Sequence, residues 1–329
     1  MSIKSIIIFS MLLFLLGSCL RAQEKEKVSL IFDSDMGPDY DDVGALAMLH
    51  ALADKGEVDI LATIASTRHE NVVAALNIIN TYFNRPEIPI GVPKNTGREL
   101  RDWQFWSDSL IQRYPHSIRH NEQVPGSVAL YRKILSGEKD ESVTIVTVGF
   151  LTNIEGLLKS GPDEHSPLSG KELVRKKVKM MVSMAGKFPE GMEFNIEEDA
   201  QAGVYVFENW DKPLIFSGFE IGEKILTGLP LIKNQSIRRS PIKDVYSISI
   251  PMAEEDSQGR MSWDQTAVLV AVRGTQPYYD LKQGRIVLNK DGYNTWDENG
   301  IGHKHLVEKM DPKKVEKIIN DLMMHLPNN

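Results

Sequence analysis

The stretch Val28-Ser29-Leu30-Ile31-Phe32-Asp33-Ser34-Asp35-Met36-Gly37-Pro38-Asp39-Tyr40-Asp41-Asp42-Val43-Gly44-Ala45-Leu46-Ala47 joins a short apolar run to a helix through five aspartates. Val28 to Phe32 is rich in β-formers and reads as a buried strand. From Asp42 to Lys55 the apolar residues Val43, Ala45, Leu46, Leu49, Leu52 and Ala53 recur at helical spacing. The alternation continues outward. Strands are expected at Val58–Ala65, Ile88–Val92, Val143–Val148, Lys179–Met184 and Pro213–Ser217. Helices are expected at Asn71–Phe83, Ser127–Leu135, Leu151–Lys159 and Ala200–Asn209. Repeated strand–helix alternation implies an α/β fold: an open, mostly parallel sheet with helices on both faces and a Rossmann-like core. In such sheets ligands bind beyond the carboxyl ends of the strands, where the aspartates fall.

Asp33, Asp35, Asp39, Asp41 and Asp42 place five carboxylates within ten residues. Their repulsion is costly unless a cation is present. An all-oxygen donor set suits a hard cation, Ca²⁺ or Mg²⁺, and not zinc. Gly37 lets the backbone turn between them. The competing explanation is an acidic helix N-cap with solvated neighbours.

The rest of the composition narrows the possibilities. A net charge of −7 offers no basic field for nucleic acid. Lys4, the apolar run Ile6–Leu16 and Leu16-Gly17-Ser18-Cys19 read as a signal peptide over residues 1–22. The run is short for a bilayer span. Leu-Gly-Ser-Cys resembles a bacterial lipobox, which would make Cys19 a lipid anchor; simple cleavage near Ala22 and an uncleaved anchor are the alternatives. Each expects an exported chain, periplasmic or anchored to the cell envelope. Cys19 is the only cysteine, so the expected single domain over residues 23–329 has neither a disulfide nor a thiol nucleophile. Residues 94–125 are polar and aromatic-rich, a loop or lid whose Trp103, Trp106, His116 and His120 are candidates to shape a leaving-group pocket. Tyr293, Trp296 and His303 would close the site or contact another protein.

The aspartate stretch resembles the hallmark of the inosine–uridine-preferring nucleoside hydrolase family, Asp-x-Asp-Pro-Gly-x-Asp-Asp followed by a small-residue helix, with two more residues before Asp41-Asp42. It is similar to a divergent bacterial branch with that longer motif. Further resemblances follow in order: Val146-Thr147-Val148-Gly149-Phe150-Leu151-Thr152-Asn153, Met181 to Gly186, Glu193-Phe194-Asn195 with Asp199 and Ala202, and Trp263-Asp264-Gln265-Thr266-Ala267.

The resemblance implies an N-glycosyl hydrolase of nucleoside catabolism acting on a small-molecule nucleoside or ribosyl substrate. It also implies bound Ca²⁺ and, since relatives are often dimers or tetramers, a homo-oligomer. It implies Asp35 as metal ligand and general base, Asp42 and Asp264 as ligands, and the carbonyl of Val148 as a backbone ligand. Asp41 would hydrogen-bond the ribose, Glu193 and Asn195 would bind its other side, Met184 would line that pocket, and Asp33 would orient the loop. Bland rivals stand beside these roles: a turn for Asn195, a helix cap for Asp264, plain core for Met184.

This chain departs from the family pattern at several points. Asp39 has no counterpart and is an alternative to Asp41. The family's Asn after the second strand falls at Ser66-Thr67. The Asn before Glu-Phe-Asn has no match, Met192 lying nearby. The His that helps protonate the base is Trp263, which counts against an inosine or pyrimidine preference; Trp263 would stack on a purine or serve as a core or rim aromatic. Three other functions stand beside this one: a haloacid-dehalogenase-type phosphatase with Asp33 as nucleophile, which leaves Asp41-Asp42, Glu193-Phe194-Asn195 and Trp263-Asp264 unexplained; an exported nucleoside- or sugar-binding protein of the same fold without turnover; and a hydrolase of another ribosyl or glycosyl compound.

Overall fold

Strand β1, Val28–Ser34, lies between two parallel neighbours and alternates its side chains between two cores. Leu30 and Phe32 enter one core and Ile31 the other, as the two-residue period of a strand requires. The computed structural model describes residues 26–328, so Cys19 and the leader expected over 1–22 lie outside the described residues. The other strands are β2 (Val58–Ala65), β3 (Ile90–Gly91), β4 (Val143–Thr147), β5 (Val178–Met184), β6 (Glu190–Gly191), β7 (Leu214–Ser217), β8 (Leu226–Thr227), β9 (Arg260–Met261), β10 (Tyr279–Leu288), β11 (Asn294–Asp297) and β12 (His303–Glu308). Ten of them form one sheet in the order β3-β2-β1-β4-β5-β7-β12-β10-β11-β6, and β8 pairs with β9. From β3 to β12 every pairing is parallel; β10, β11 and β6 then add antiparallel strands.

The chain winds outward from β1 through β2 to β3, then returns to β4 on β1's other side. A crevice opens where the winding reverses, between the carboxyl ends of β1 and β4. Asp35 follows β1 and Val148 follows β4, so the fold brings both to this crevice.

One face of the sheet carries the helices Asp41–Asp54, Val72–Tyr82, Trp263–Arg273 and Pro312–Met323. The other carries Ser127–Gly137, Thr152–Lys159, Gly170–Lys177 and Ala200–Asn209. Asp41–Asp54 is buried without interruption from Asp41 to Leu52. Beyond its acidic first turn it is therefore buried on all sides and has no solvent face, because Trp263–Arg273 and Pro312–Met323 pack over it. That explains Gly44: a Cβ there would come within 2.4 Å of Tyr246 Oη and 2.6 Å of Gln265 Nε2.

Two regions differ from the sequence expectation. Residues 94–125 contain the helix Trp106–Arg113 and a short turn of helix at Asn121–Gln123. Trp106 is fully buried in the core, while Trp103 remains 65% exposed. His116 Nδ1 lies 2.9 Å from the Tyr114 carbonyl and His120 is exposed, so neither enters a pocket with the aspartates. The segment from Tyr293 to His303 is no site-closing tail. It builds β11 and the start of β12, where Trp296 meets Phe188 edge-on at 5.2 Å and His305 stacks on Phe188 at 4.5 Å. β10 and β11 form a hairpin across residues 289–293, whereas β11–β6 and β12–β7 pair distant segments, and the short mixed runs of β11 and β12 signal neither.

Trp106→Ala is expected to destabilise the protein by about 3–5 kcal/mol, as for other buried aromatics. Trp103→Ala should stay within about 0.5 kcal/mol of wild type. Urea unfolding of both variants checks the division; equal losses would mean the whole 94–125 segment is core.

Candidate active site

The aspartate loop is fixed by its own strand end. Ser34 Oγ donates to Asp42 Oδ1 at 2.6 Å and accepts from the Met36 amide at 3.0 Å. Asp33 points the other way. Its carboxylate accepts from Tyr131 Oη at 2.7 Å and Asn153 Nδ2 at 3.1 Å, and its carbonyl accepts from the Val148 amide. Asn153 Nδ2 also reaches the Ala65 carbonyl, so Asp33 ties the ends of β1, β2 and β4 together.

Asp264 arrives from 222 residues downstream of Asp42, on the first turn of Trp263–Arg273. Oxygens of Asp41, Asp42 and Asp264 lie within 4.8 Å of one another. Asp35 is adjacent: a Cβ on Gly149 would sit 2.3 Å from the Asp35 amide nitrogen and 2.7 Å from its Oδ1, so only glycine lets the end of β4 come this close. Asp35, Asp41, Asp42 and Asp264 are all at most 3% exposed.

Burial, followed by mutual repulsion, raises the carboxyls of Asp35 and Asp264 well above the usual range. Burial pushes Asp42 to about 7, opposed by its hydrogen bond from Ser34. Asp33 is also raised to about 7 by burial, against donation from Tyr131 and Asn153. The unsatisfied atoms are selective. Asp35 Oδ2, Asp42 Oδ2 and Asp264 Oδ2 are buried without a hydrogen-bond partner, whereas both oxygens of Asp41 are bonded. Asp42 and Asp264 converge with Asp41, and Asp35 repels Asp42 and Asp41 from beside them; this all-oxygen donor set, with three oxygens unpaired, fits a hard divalent cation.

Asp41 Oδ2 accepts from the amides of Trp263 and Asp264, at 3.1 and 3.2 Å. Asp41 thereby caps the Trp263–Arg273 helix from a distant part of the chain, the cap that sequence reasoning offered to Asp264. Its Oδ1 accepts from Arg260 Nε and Nη2, at 3.2 and 2.9 Å. Arg260 was missed in the sequence: a single arginine four residues before Asp264 carries no local signal.

Glu193, Asn195, Met184, Trp263 and Asp264 line one cleft together with Asp39, Phe194 and Phe219. Glu193 caps the short helix Phe194–Glu198, its carboxylate accepting from the amides of Asn195, Ile196 and Gly186. Burial still raises it to about 7. Asn195 Nδ2 bridges the carbonyls of Val148 and Met184, at 3.2 and 3.3 Å. Trp263 Nε1 donates to the Phe219 carbonyl, and its ring lies 5.2 Å from Phe219. Ser66 Oγ accepts from the Phe150 amide, and Thr67 Oγ1 bonds the Arg98 carbonyl, so both serve backbone groups. His69, Asp102 and Ser107 form a further cluster that sequence reasoning missed, with His69 Nε2 3.4 Å from Asp102. A larger cavity, about 640 Å³, lies at the opposite ends of β7 and β12 beside Trp210 and His303, and none of the aspartates in the carboxylate cluster lines it.

A parallel sheet with buried carboxylates at its switch point defines an α/β protein with an acidic site in the crevice. The structure resembles the purine-preferring ribonucleoside hydrolase from Gardnerella vaginalis (TM-score 0.71, 18% identity, 90% of this chain and 99% of that one). It also resembles the plant nucleoside hydrolase PpNRh1 (TM-score 0.68, 20% identity, 90% and 99%). The family model described as inosine-uridine preferring nucleoside hydrolase matches residues 30–316, and the chain belongs to that family. The pyrimidine-specific ribonucleoside hydrolase RihA of Klebsiella pneumoniae (strain 342) is 31% identical over 202 residues, 58% of this chain. The match spans 60% of that curated relative's length.

The folded state holds protons on Asp33, Asp42 and Glu193 up to about pH 7, whereas the ordinary values are 3.8, 3.8 and 4.5. Folding therefore takes up protons between those limits, and stability of the cation-free protein should fall as pH rises through them. Cation binding needs the ionised carboxylates, so its stabilisation should grow across the same window. Thermal unfolding at about pH 5 and about pH 8, with and without Ca²⁺, tests this. A lower Tm at the higher pH without cation, and a larger Ca²⁺-induced rise there, are expected.

Proposed function

We propose that this protein hydrolyses the N-glycosidic bond of ribonucleosides, releasing base and ribose, with Ca²⁺ held by Asp35, Asp42, Asp264 and the Val148 carbonyl. The observation that carries the proposal is the set of buried, unpartnered oxygens on those three aspartates. When bound, a divalent cation offsets the charge of the cluster and lowers the pKa of water beside it.

In this reading Asp35 takes the proton of the attacking water as oxygen adds to the anomeric carbon. A general base must be ionised, and cation binding needs the same ionised form of Asp35. The carbon–nitrogen bond breaks, its electron pair goes to the base nitrogen, and the base takes up one proton from solvent as Asp35 returns its own to solvent. Positive charge develops on the sugar, and the surrounding carboxylates favour it. Glu193 and Asn195 hold the ribose, with Met184 against it; Trp263 and Phe219 offer flat apolar surface to the base. The proposal includes export, supported by the apolar run Ile6–Leu16 and Cys19, and assembly as a homo-oligomer.

Sugar release from a panel of purine and pyrimidine ribonucleosides, with Ca²⁺ and with chelator, tests the function. Turnover lost on chelation is expected. Asp35→Asn should lower kcat at least about a hundredfold, the scale of general-base removal. Its cation-free Tm should not fall, because a neutral amide replaces a buried carboxyl whose ionisation burial and its neighbours oppose. Activity near wild type in that variant would eliminate Asp35 as the base. Sugar binding with no turnover on any nucleoside would identify a binding protein instead.

A further inference from the structure

Asp39 belongs to the pair of residues by which this chain's motif exceeds the family hallmark, and the structure sets it in the cleft beside Met184, Glu193, Asn195 and Asp264. Its side chain is 31% exposed. Asp41, by contrast, is 1% exposed and fully engaged. A carboxylate offers about four acceptor sites. Arg260 Nε and Nη2 take two at Oδ1, and the amides of Trp263 and Asp264 take two at Oδ2. No acceptor site on Asp41 is left for a sugar hydroxyl.

Arg260 connects the two aspartates. Its Nη2 contacts both Asp39 and Asp41, and Nη1 lies 3.6 Å from Asp256, which accepts from Tyr40 Oη. The guanidinium packs 4.8 Å from the Tyr40 ring and 5.0 Å from the Trp263 ring. A planar fork held by two rings and three carboxylates has little freedom. It fixes Asp39 at the cleft by one edge of the carboxylate. Among the described residues no other group bonds the Asp39 side chain, so its remaining acceptor sites are available.

We propose that Asp39, oriented by Arg260, is the carboxylate that accepts a hydrogen bond from a ribose hydroxyl, and that Asp41 is a structural cap withdrawn from the substrate. The assignment rests on the proposed ribosyl substrate. It makes Arg260 a positioning residue and Asp39 a specificity-determining one. A hydroxyl–carboxylate contact rewards the sugar that has the hydroxyl and leaves a desolvated carboxylate when it is missing.

The test pairs deletion of the carboxylate with deletion of each hydroxyl. Calorimetry with Ca²⁺ measures binding of D-ribose, 2-deoxy-D-ribose and 3-deoxy-D-ribose to the full chain and to its Asp39→Asn, Asp41→Asn and Arg260→Lys variants. Asp39→Asn should weaken D-ribose roughly tenfold or more, the scale of a lost hydrogen bond to a charged group. It should weaken one of the deoxy sugars by less than about twofold, because that contact is already gone. Arg260→Lys should show the same selectivity for that one hydroxyl in smaller measure. Asp41→Asn should change all three sugars by one common factor. Additive losses for both deoxy sugars with Asp39→Asn, selective coupling at Asp41 instead, or no sugar bound by wild type would each overturn the assignment. A wild-type chain that binds ribose with the expected coupling yet releases sugar from no nucleoside would retain Asp39 and discard the hydrolase reading.

Discussion

Four carboxylates, Asp35, Asp41, Asp42 and Asp264, are buried together at the carboxyl ends of β1 and β4, and the surrounding structure exists in large part to make that tolerable. Each would cost several kcal/mol as an isolated buried charge. The chain meets the cost by two routes. Asp41 is given a guanidinium and two helix amides. Asp35, Asp42 and Asp264 each keep an unpaired oxygen, and burial raises the pKa of all four carboxyls, Asp41 included. The first route makes a joint between distant parts of the chain; the second makes a site that a cation would complete.

The joint at Asp41 explains why the tertiary structure and the site are hard to separate. Asp41 opens one helix and caps another that begins at Trp263, so the Asp41-Asp42 pair and Asp264 are held in register by one side chain. The same helix start delivers Asp264. Arg260, two residues before Ser262, closes the arrangement against Tyr40 and Trp263. Loss of this joint would release Asp264 without touching any hydrogen bond of Asp264's own side chain. On the opposite side, Asp33, Tyr131 and Asn153 do comparable work for the end of β4 and hence for the carbonyl of Val148.

Glu193 and Asn195 show how backbone capping and the lining of the cleft share residues. Glu193 caps its own short helix, and Asn195 holds the ends of β4 and β5 together. Both also line the cleft. Asn195, whose side chain serves two backbone carbonyls, is at the same time a lining residue of the cleft.

The sequence by itself determined the strand–helix alternation, the parallel sheet and the clustering of carboxylates at a strand's end, because these follow from hydrophobic period and from charge spacing within a few residues. It also carried Asp264, Glu193 and Asn195 through resemblance in motif order. Only the tertiary structure decided which oxygens are left unpaired, that Trp106 is core while Trp103 is not, that residues 279–308 extend the sheet, and that Arg260 occupies Asp41. Those facts depend on contacts between residues up to hundreds of positions apart, such as Asp41 with Arg260, and the energy of such a pair leaves no periodicity in the chain for sequence to display.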